Sequence, residues 1–311
     1  RMGCRVADRT QVLVSGNLDP QKLAVIKNYC TPDLEIEQVA FDPATGCMDL
    51  ADLKAKLSDK TGVVYFENPT YMGVLEVQGK EIADLAHAAG AQCVVGVDPI
   101  SLGVVAVPRS YGADIVCGDL QPLGIHMNYG GGQSGFMATM DDPKYVLEFP
   151  SRLFGICCTN TPGEYAFGDV AYDRTSFGHL REKAKEYVGT QSALWGITAG
   201  VYLATMGPKG MQEVGETIMQ NAQYAAQQIA GLKNVSIKFS GPFFKEFVVD
   251  FSKTGKTVAE INKALLEKNI FGGKDLSKEF PALGQCAMYC VTEVHTKEDI
   301  DRLVSALGEI L

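Results

Sequence analysis

The chain has 311 residues, of which 46% are hydrophobic, so it can bury a large core and is not expected to be disordered. Its 28 basic and 37 acidic residues give a net charge of −9 and a pI near 5.0. This balance argues against a nucleic-acid-binding surface and against affinity for an anionic membrane. No apolar run approaches the roughly 18 residues needed to cross a bilayer, and no signal segment opens the sequence. We therefore expect a soluble cytoplasmic protein whose partners are proteins and small molecules.

The first 139 residues alternate short apolar runs with amphipathic segments. Such alternation is typical of right-handed β-α-β crossovers, and it predicts a mostly parallel sheet flanked by helices. Asp19 followed by Pro20 is typical of a helix N-cap and first turn. The predicted strands cover residues 11–15, 34–41, 62–66, 92–97, 113–118 and 134–139. The predicted helices cover residues 19–29, 48–58 and 79–90.

The second half of the chain does not continue this alternation of short apolar runs and amphipathic segments. Residues 141–188 show little periodicity, which predicts an irregular segment that wraps the sheet or reaches a partner. Residues 190–206 are apolar nearly all round, which predicts a buried helix carrying Trp195, followed by a turn at 207–210. We divide the chain into a large α/β domain, 1–204, and a smaller α+β domain, 205–311. Helices are predicted there at 211–232, 257–268 and 297–310, and strands at 235–239, 245–251 and 286–291.

Polar residues follow three neighbouring strands of the predicted sheet. Asn68 follows the third strand, Asp98 the fourth, and Gln121 comes shortly after the fifth. Parallel sheets bind ligands at the carboxyl ends of their strands. Asp98 has apolar neighbours, and because an unpaired charge there costs several kcal/mol, its carboxylate needs a partner. It could pair with a pyridinium nitrogen, or it could cap a turn together with Pro99.

The loop after Gln121 has two further features. His126 can serve either the structure of the loop or a site. Gly130, Gly132 and Gly135 match the spacing of the dinucleotide-binding fingerprint, but they lead into a predicted strand where that motif requires a helix. They therefore indicate tight turning or a close approach of the backbone. No lysine occurs between residues 80 and 144, although a site of this shape would need one.

The nine cysteines do not form a disulfide framework, because their number is odd and no C-x-x-C pair is present. The adjacent pair Cys157 and Cys158 could be a metal or redox site, but no histidine or further cysteine lies nearby, so no metal is expected. Four others are expected to pack inside strands as small hydrophobic residues. These are Cys93, Cys117, Cys286 and Cys290.

Sequence stretches along nearly the whole chain carry a family resemblance. They are VLVSGNLDP (12–20), ENPTYMGVLE (67–76), VDPISLGVV (97–105), YGADIVCGDLQPLGI (111–125), GGGQSGFMAT (130–139), TQSALWGITAGVYLATMGPKG (190–210), GPFFKEFVVDF (241–251) and VTEVHTKEDIDRLVSAL (291–307). The chain resembles the P-protein family of the glycine cleavage system, in particular the alpha subunit, or subunit 1, of two-subunit glycine dehydrogenases (decarboxylating). The resemblance implies the fold type I architecture of pyridoxal-phosphate-dependent transferases. Residues 1–6 resemble the end of the helix that follows the phosphate-binding turn in this fold, so we expect an N-terminally truncated fragment.

The resemblance also implies roles for the residues at the sheet edge. In working members of the fold, an aspartate at the position of Asp98 pairs with the pyridine nitrogen of the cofactor, and a downstream lysine forms the Schiff base. Gln121 falls where that lysine would be, and an amide cannot form an imine. The resemblance therefore places pyridoxal phosphate on the beta subunit, or subunit 2, and no catalytic residue in this chain. Asp98, Gln121, His126 and Asn68 are the candidate residues of a vestigial cofactor site.

The resemblance implies an activity for the complex as a whole. It takes the carboxyl group off glycine as carbon dioxide and passes the aminomethyl group to the lipoyl arm of the H-protein, in a heterotetramer whose isolated alpha subunit is inactive. Two alternatives stay open. One is a non-catalytic structural or regulatory scaffold. The other is a stand-alone pyridoxal-phosphate transferase that uses Lys144 or Lys183, although neither lysine follows a strand-end turn at the right place.

Overall fold

The structure is a computed structural model that describes residues 1–127, 133–149, 153–170 and 192–311. A six-stranded sheet has the order β2-β1-β3-β4-β5-β6, in which the first five strands are parallel and β6 is antiparallel. Its strands are β1 Gln11–Ser15, β2 Glu35–Val39, β3 Thr61–Glu67, β4 Gln92–Val97, β5 Ile115–Asp119 and β6 Gly135–Thr139. The helices in this half are α1 Met2–Ala7, α2 Pro20–Cys30, α3 Leu50–Lys56, α4 Gly79–Ala88 and α5 Pro143–Val146. The predicted mostly parallel sheet with flanking helices is confirmed.

Local signals in the sequence explain these elements. The Asp19 carboxylate accepts the N–H of Gln21 at 3.0 Å, as predicted for the N-cap of α2, and Pro20 occupies the first turn. The central strands are apolar on both faces because helices cover them, and Leu13, Val64 and Val95 are fully buried. One large core cluster therefore lies between the sheet and α4.

The region predicted to be irregular contains regular structure. Strands β7 Leu153–Cys158 and β8 Tyr165–Val170 form an antiparallel hairpin, so the prediction is wrong for these residues. The hairpin is largely exposed, so neither strand has the alternation of apolar and polar residues that marks a half-buried strand. The rings of Phe154 and Phe167 stack across it with centroids 5.5 Å apart. The predicted irregular segment also contains the short helix α5, and its residues 150–152 and 171–188 lie outside the described residues.

Helix α6, Ala193–Ala230, is interrupted at Gly207, whose φ of 61° and ψ of −179° are not helical. The predicted turn at 207–210 is therefore a break at one residue. The prediction of a buried helix before it is wrong, since Leu194, Ile197 and Val201 are 64%, 64% and 61% exposed. The small residue Ala199 faces the core instead. A helix that is apolar all round has more than one possible inner face, and here the inward face carries Ala199 together with the partly buried Tyr202.

The C-terminal part is a four-stranded antiparallel sheet in the order β11-β12-β10-β9, packed against helices. Helix α8 begins with a capping box between Thr296 and Asp299. Strand β11 was not predicted, because its two residues, Lys274 and Asp275, form no apolar run. The elements are β9 Ser236–Ile237, β10 Glu246–Asp250, α7 Val258–Glu267, β11 Lys274–Asp275, β12 Cys286–Cys290 and α8 Lys297–Ile310.

The loop after β3 joins the two sheets. Val74 forms an antiparallel bridge with Phe243, and the Phe244 N–H donates to the Gly73 carbonyl at 3.1 Å. A shared core cluster includes Met72 and Val74 from this loop together with Val248 of β10. The division of the chain at residue 204 stays a prediction. In the part of the chain that the structure describes, no helix is both long enough and apolar enough to cross a membrane.

Candidate functional site

Three of the four predicted site residues lie at the carboxyl edge of the six-stranded sheet. Val97 pairs with Gly118, so Asp98 follows directly on β4 where Asp119 ends β5. Asn68 donates its backbone N–H to the Gly96 carbonyl at 2.9 Å, next to Asp98 along the edge. Gln121 lies two residues beyond Asp119. The register of the parallel strands thus brings these side chains to one edge.

Asp98 both caps a turn and pairs with a cation. Its Oδ1 accepts the N–H of Ile100 at 2.9 Å, and its backbone carbonyl accepts the Ser101 hydroxyl at 2.7 Å. Its Oδ2 accepts a hydrogen bond from the ammonium of Lys245, and the carboxylate side chain is only 12% exposed. The turn-capping interpretation of Asp98 therefore describes its contacts, and the charged partner of its carboxylate is a side chain of the protein itself.

Lys245 belongs to a small, partly buried cluster at the start of β10. Its Nζ lies 3.8 Å from Oε1 of Glu246, which in turn accepts a weak hydrogen bond from Sγ of Cys290 at 3.5 Å. Burial alone would lower the pKa of Lys245, but the carboxylates of Glu246 and Asp98 outweigh it and raise that pKa. Burial raises the pKa of Glu246, and the nearby Lys245 opposes this change. Lys245 is therefore charged at neutral pH and serves as the counterion of Asp98.

Lys245 was not predicted to be a site residue. The available signal was a lysine and a glutamate directly ahead of the apolar run FVV, where charged side chains meet the start of a buried strand. Its partner Asp98 is 147 positions away in sequence. No local pattern connects residues so far apart.

Gln121 is exposed and holds a turn. Its Nε2 donates to the Ile125 carbonyl at 3.1 Å, while the Ile125 N–H donates back to the Gln121 carbonyl at 3.2 Å. The Gln121 N–H donates to Oδ1 of Asp119 at 2.7 Å. Its amide offers no nucleophilic amine at this position.

Asn68 is buried and engaged with the loop that follows it. Its Oδ1 accepts the Glu76 N–H at 3.1 Å, and its Nδ2 donates to the Glu76 carbonyl at 3.3 Å. The Glu76 carboxylate accepts the Met48 N–H at 2.7 Å. Asn68 therefore closes the loop, using one acceptor position and one N–H of its side-chain amide.

His126 is exposed at the end of a described stretch. The two glycines at 130 and 132 lie outside the described residues. Gly135 begins strand β6, so the glycine motif leads into a strand and the dinucleotide interpretation is excluded.

The cysteines divide by their environments. Cys93 and Cys286 are buried and Cys117 is half-buried, whereas Cys290 is exposed, so the prediction of core packing is wrong for Cys290. Cys290 is the last residue of β12, and its thiol turns to Glu246 at the rim of the sheet. Within the described ranges, no group of three metal-ligating side chains is placed to hold a metal ion.

The described residues at this edge do not fit covalently bound pyridoxal phosphate. Gln121 offers an amide and no amine, and the Asp98 carboxylate already pairs with Lys245. We therefore assign no chemical step to a cofactor on this chain.

Comparison with solved structures defines the class of protein. A sphingosine-1-phosphate lyase of Burkholderia pseudomallei superposes with a TM-score of 0.68 at 12% identity, covering 99% of this chain and 67% of that chain. A glycine decarboxylase (P-protein) of the glycine cleavage system, in inhibitor-bound form, superposes with a TM-score of 0.88 at 30% identity, covering 100% and 68%. The chain therefore has the fold type I architecture of pyridoxal-phosphate-dependent transferases.

Comparison of sequences defines the family. The family model for the glycine cleavage system P-protein matches residues 2–307, and the chain belongs to this family. A probable glycine dehydrogenase (decarboxylating) subunit 1 of Pyrococcus furiosus is 40% identical over 305 residues, covering 97% of this chain and 66% of the relative. The protein of the same name from Staphylothermus marinus is 37% identical over 306 residues, covering 98% and 65%. The chain thus spans about two thirds of the length of these relatives.

Proposed function

We propose that this chain acts as subunit 1 of a two-subunit glycine dehydrogenase (decarboxylating). The observation that carries the proposal is the 37–40% identity, over nearly the whole chain, to relatives named as that subunit. The proposed complex removes the carboxyl group of glycine as carbon dioxide and transfers the aminomethyl group to the lipoyl arm of an H-protein. It works in the cytoplasm as a heterotetramer.

Pyridoxal phosphate belongs, in this proposal, to subunit 2. Two features of this chain support that placement. Gln121 carries an amide where the fold would place its Schiff-base lysine, and the Asp98 carboxylate is paired with Lys245. The cofactor supplies the electron sink for decarboxylation when it is bound. The residues of this chain, in contrast, hold the turn at 121–125 and the loop at 68–76.

Reconstitution tests the proposal. The purified chain is mixed with a P-protein subunit that carries the lysine, with pyridoxal phosphate and with lipoylated H-protein, and release of carbon dioxide from carboxyl-labelled glycine is measured. We expect release only when both subunits are present. Each subunit alone is the control. A mixture that releases no labelled carbon dioxide, although both subunits are folded, would contradict the proposal.

A second candidate is a scaffold that contributes nothing to any active site. The contacts of Asp98 and Gln121 with their own chain favour it, because both side chains serve local structure. Replacing Asp98, Gln121 and His126 within the complex distinguishes a subunit that contributes to a shared active site from a scaffold. Unchanged decarboxylation would support the scaffold, and a loss beyond any loss of assembly would support a shared site.

A stand-alone transferase is the weakest candidate. Lys144 lies in α5, 3.9 Å from Asp142 and over the ring of Tyr145. Lys183 lies outside the described residues. A reducible imine band on the purified chain after addition of pyridoxal phosphate would support this function.

A further inference from the structure

We propose that Lys245 is a built-in replacement for the cofactor's pyridinium, so that Asp98 is neutralised by the protein and the vestigial site is closed from within. The inference rests on the proposed function, since it explains how this subunit can keep the fold without the cofactor. It adds a residue and a role that the motif at the sheet edge did not indicate.

The geometry of Asp98 is the first argument. One carboxylate oxygen accepts the N–H of Ile100 and the other bonds the Lys245 ammonium, which leaves the carboxylate with a positive partner and a fixed orientation. A pyridinium nitrogen offers one N–H and one positive charge to such an aspartate. Lys245 supplies the same two properties from the residue directly before β10.

Burial is the second argument. The side chains of Lys245 and Asp98 are 22% and 12% exposed, so the carboxylate would pay a large desolvation cost without a cation. Working members of the fold can meet this need with a ligand. In this chain the need is met permanently, before any ligand arrives.

The position of Lys245 in the chain is the third argument. It lies between Phe244, whose N–H donates to the Gly73 carbonyl, and Glu246, the first residue of β10. The backbone at Lys245 is thus fixed on one side by the loop that follows β3 and on the other by strand β10. This places the Lys245 side chain within reach of Asp98.

Chemical rescue tests the assignment on the purified chain. Lys245→Ala removes a fragment the size of n-propylammonium. Lys238→Ala is the matched control, because Lys238 is also 22% exposed and pairs with Asp250 at 3.5 Å within the same sheet. Melting temperatures are measured with n-propylammonium chloride and, at equal ionic strength, with tetramethylammonium chloride, which has no N–H to donate.

We expect Lys245→Ala to lower the melting temperature by on the order of 5–10 °C, because it strands a buried carboxylate. n-Propylammonium should restore several degrees in this variant, and tetramethylammonium should not. Lys245→Arg should retain more stability than Lys245→Ala, and Asp98→Asn/Lys245→Ala should show no rescue. Equal behaviour of the two alanine variants, or rescue that persists without Asp98, would overturn the assignment.

A second measurement does not depend on the folding of any lysine variant. Pyridoxamine 5′-phosphate has the ring nitrogen but no aldehyde, so it cannot react with surface lysines. The wild-type chain should show no saturable binding in equilibrium dialysis. Tight binding that Asp98→Asn abolishes would refute the role of Lys245. Failure of the proposed function would give a different result. The reconstituted enzyme would then not decarboxylate glycine, while the melting temperatures of the variants and their rescue would still be as expected.

Discussion

Gly73 controls how the loop after β3 meets the start of β10. Its φ is +84°, in the left-handed region, and a Cβ placed on it would lie 1.9 Å from the carbonyl oxygen of Glu246 and 2.3 Å from the carbonyl carbon. These are backbone atoms of a strand, so they cannot rotate away. Gly73→Ala therefore forces the loop and β10 apart at the residue that follows Lys245.

The expected loss of folding stability in Gly73→Ala has two parts. The left-handed conformation costs a residue with a side chain about 1–2 kcal/mol. Overpacking against a fixed neighbour costs about 1–3 kcal/mol more. The sum is about 2–5 kcal/mol, which for a chain of this size lowers the melting temperature by about 4–10 °C.

A second glycine allows the conformational cost to be measured without the steric cost. Gly255 has a φ of +78°, and a Cβ added to it would meet nothing within 4 Å. Gly255→Ala therefore carries the conformational cost without the steric one. Thermal and urea unfolding of both variants, followed by circular dichroism, should show a distinctly larger loss for Gly73→Ala. Equal losses would refute the steric argument.

Three further predictions concern other parts of the chain. Glu67→Gln should destabilise the fold by about 1–3 kcal/mol in urea unfolding, because Glu67 is 6% exposed and bonds the Lys22 ammonium. The backbone N–H of Thr296, the N-cap residue of α8, donates to Asp299 and lowers the pKa of this carboxyl group below its ordinary 3.8. The contribution of Asp299 to folding stability should therefore be fully present above pH 3.8 and should be lost as the pH falls through the lower pKa of the folded state. Iodoacetamide should alkylate exposed Cys158 in the native chain well before buried Cys93, whose pKa burial raises to about 12, as peptide mass spectrometry would show.

Matched variants control these experiments. Asp84→Asn breaks an exposed pair with Lys80 and should change stability by less than about 0.5 kcal/mol. If Glu67→Gln changed the free energy of unfolding no more than Asp84→Asn does, the argument that burial strengthens the Glu67 ion pair would be contradicted. For Asp299, the stability difference between wild type and Asp299→Asn should shrink as the pH falls, and a constant difference would contradict the assigned titration. Equal alkylation rates at Cys93 and Cys158 would mean that the strand around Cys93 opens freely.

The sheet was predictable because its signals are local. Strand β1 was predicted at its observed bounds, 11–15, and β4 at 92–97, since each is an apolar run between a helix and a polar turn. The N-cap of α2 was predicted from a single side chain, Asp19. The carboxyl-edge position of Asp98 followed from the same alternation. These features depend on residues close together in sequence.

The rest depends on contacts that a sequence pattern does not contain. The exposed hairpin β7–β8 has no inner face to set an alternation, and α6 could not reveal which of its apolar sides is buried. Lys245 reaches Asp98 only after the second sheet has packed on the first. Asn68 and Gln121 were placed at the correct edge, but their hydrogen bonds to Glu76 and Ile125 show side chains that hold loops.

The contact between Asp98 and Lys245 also limits how this chain can be converted into a cofactor-binding one. Under the proposed function, Gln121→Lys would supply an amine, yet Asp98 would still be paired with Lys245 and could not meet a ring nitrogen. Loss of Lys245 alone would strand the buried carboxylate and destabilise the chain. We therefore expect that neither substitution by itself produces a working site, and that the two distant substitutions are needed together.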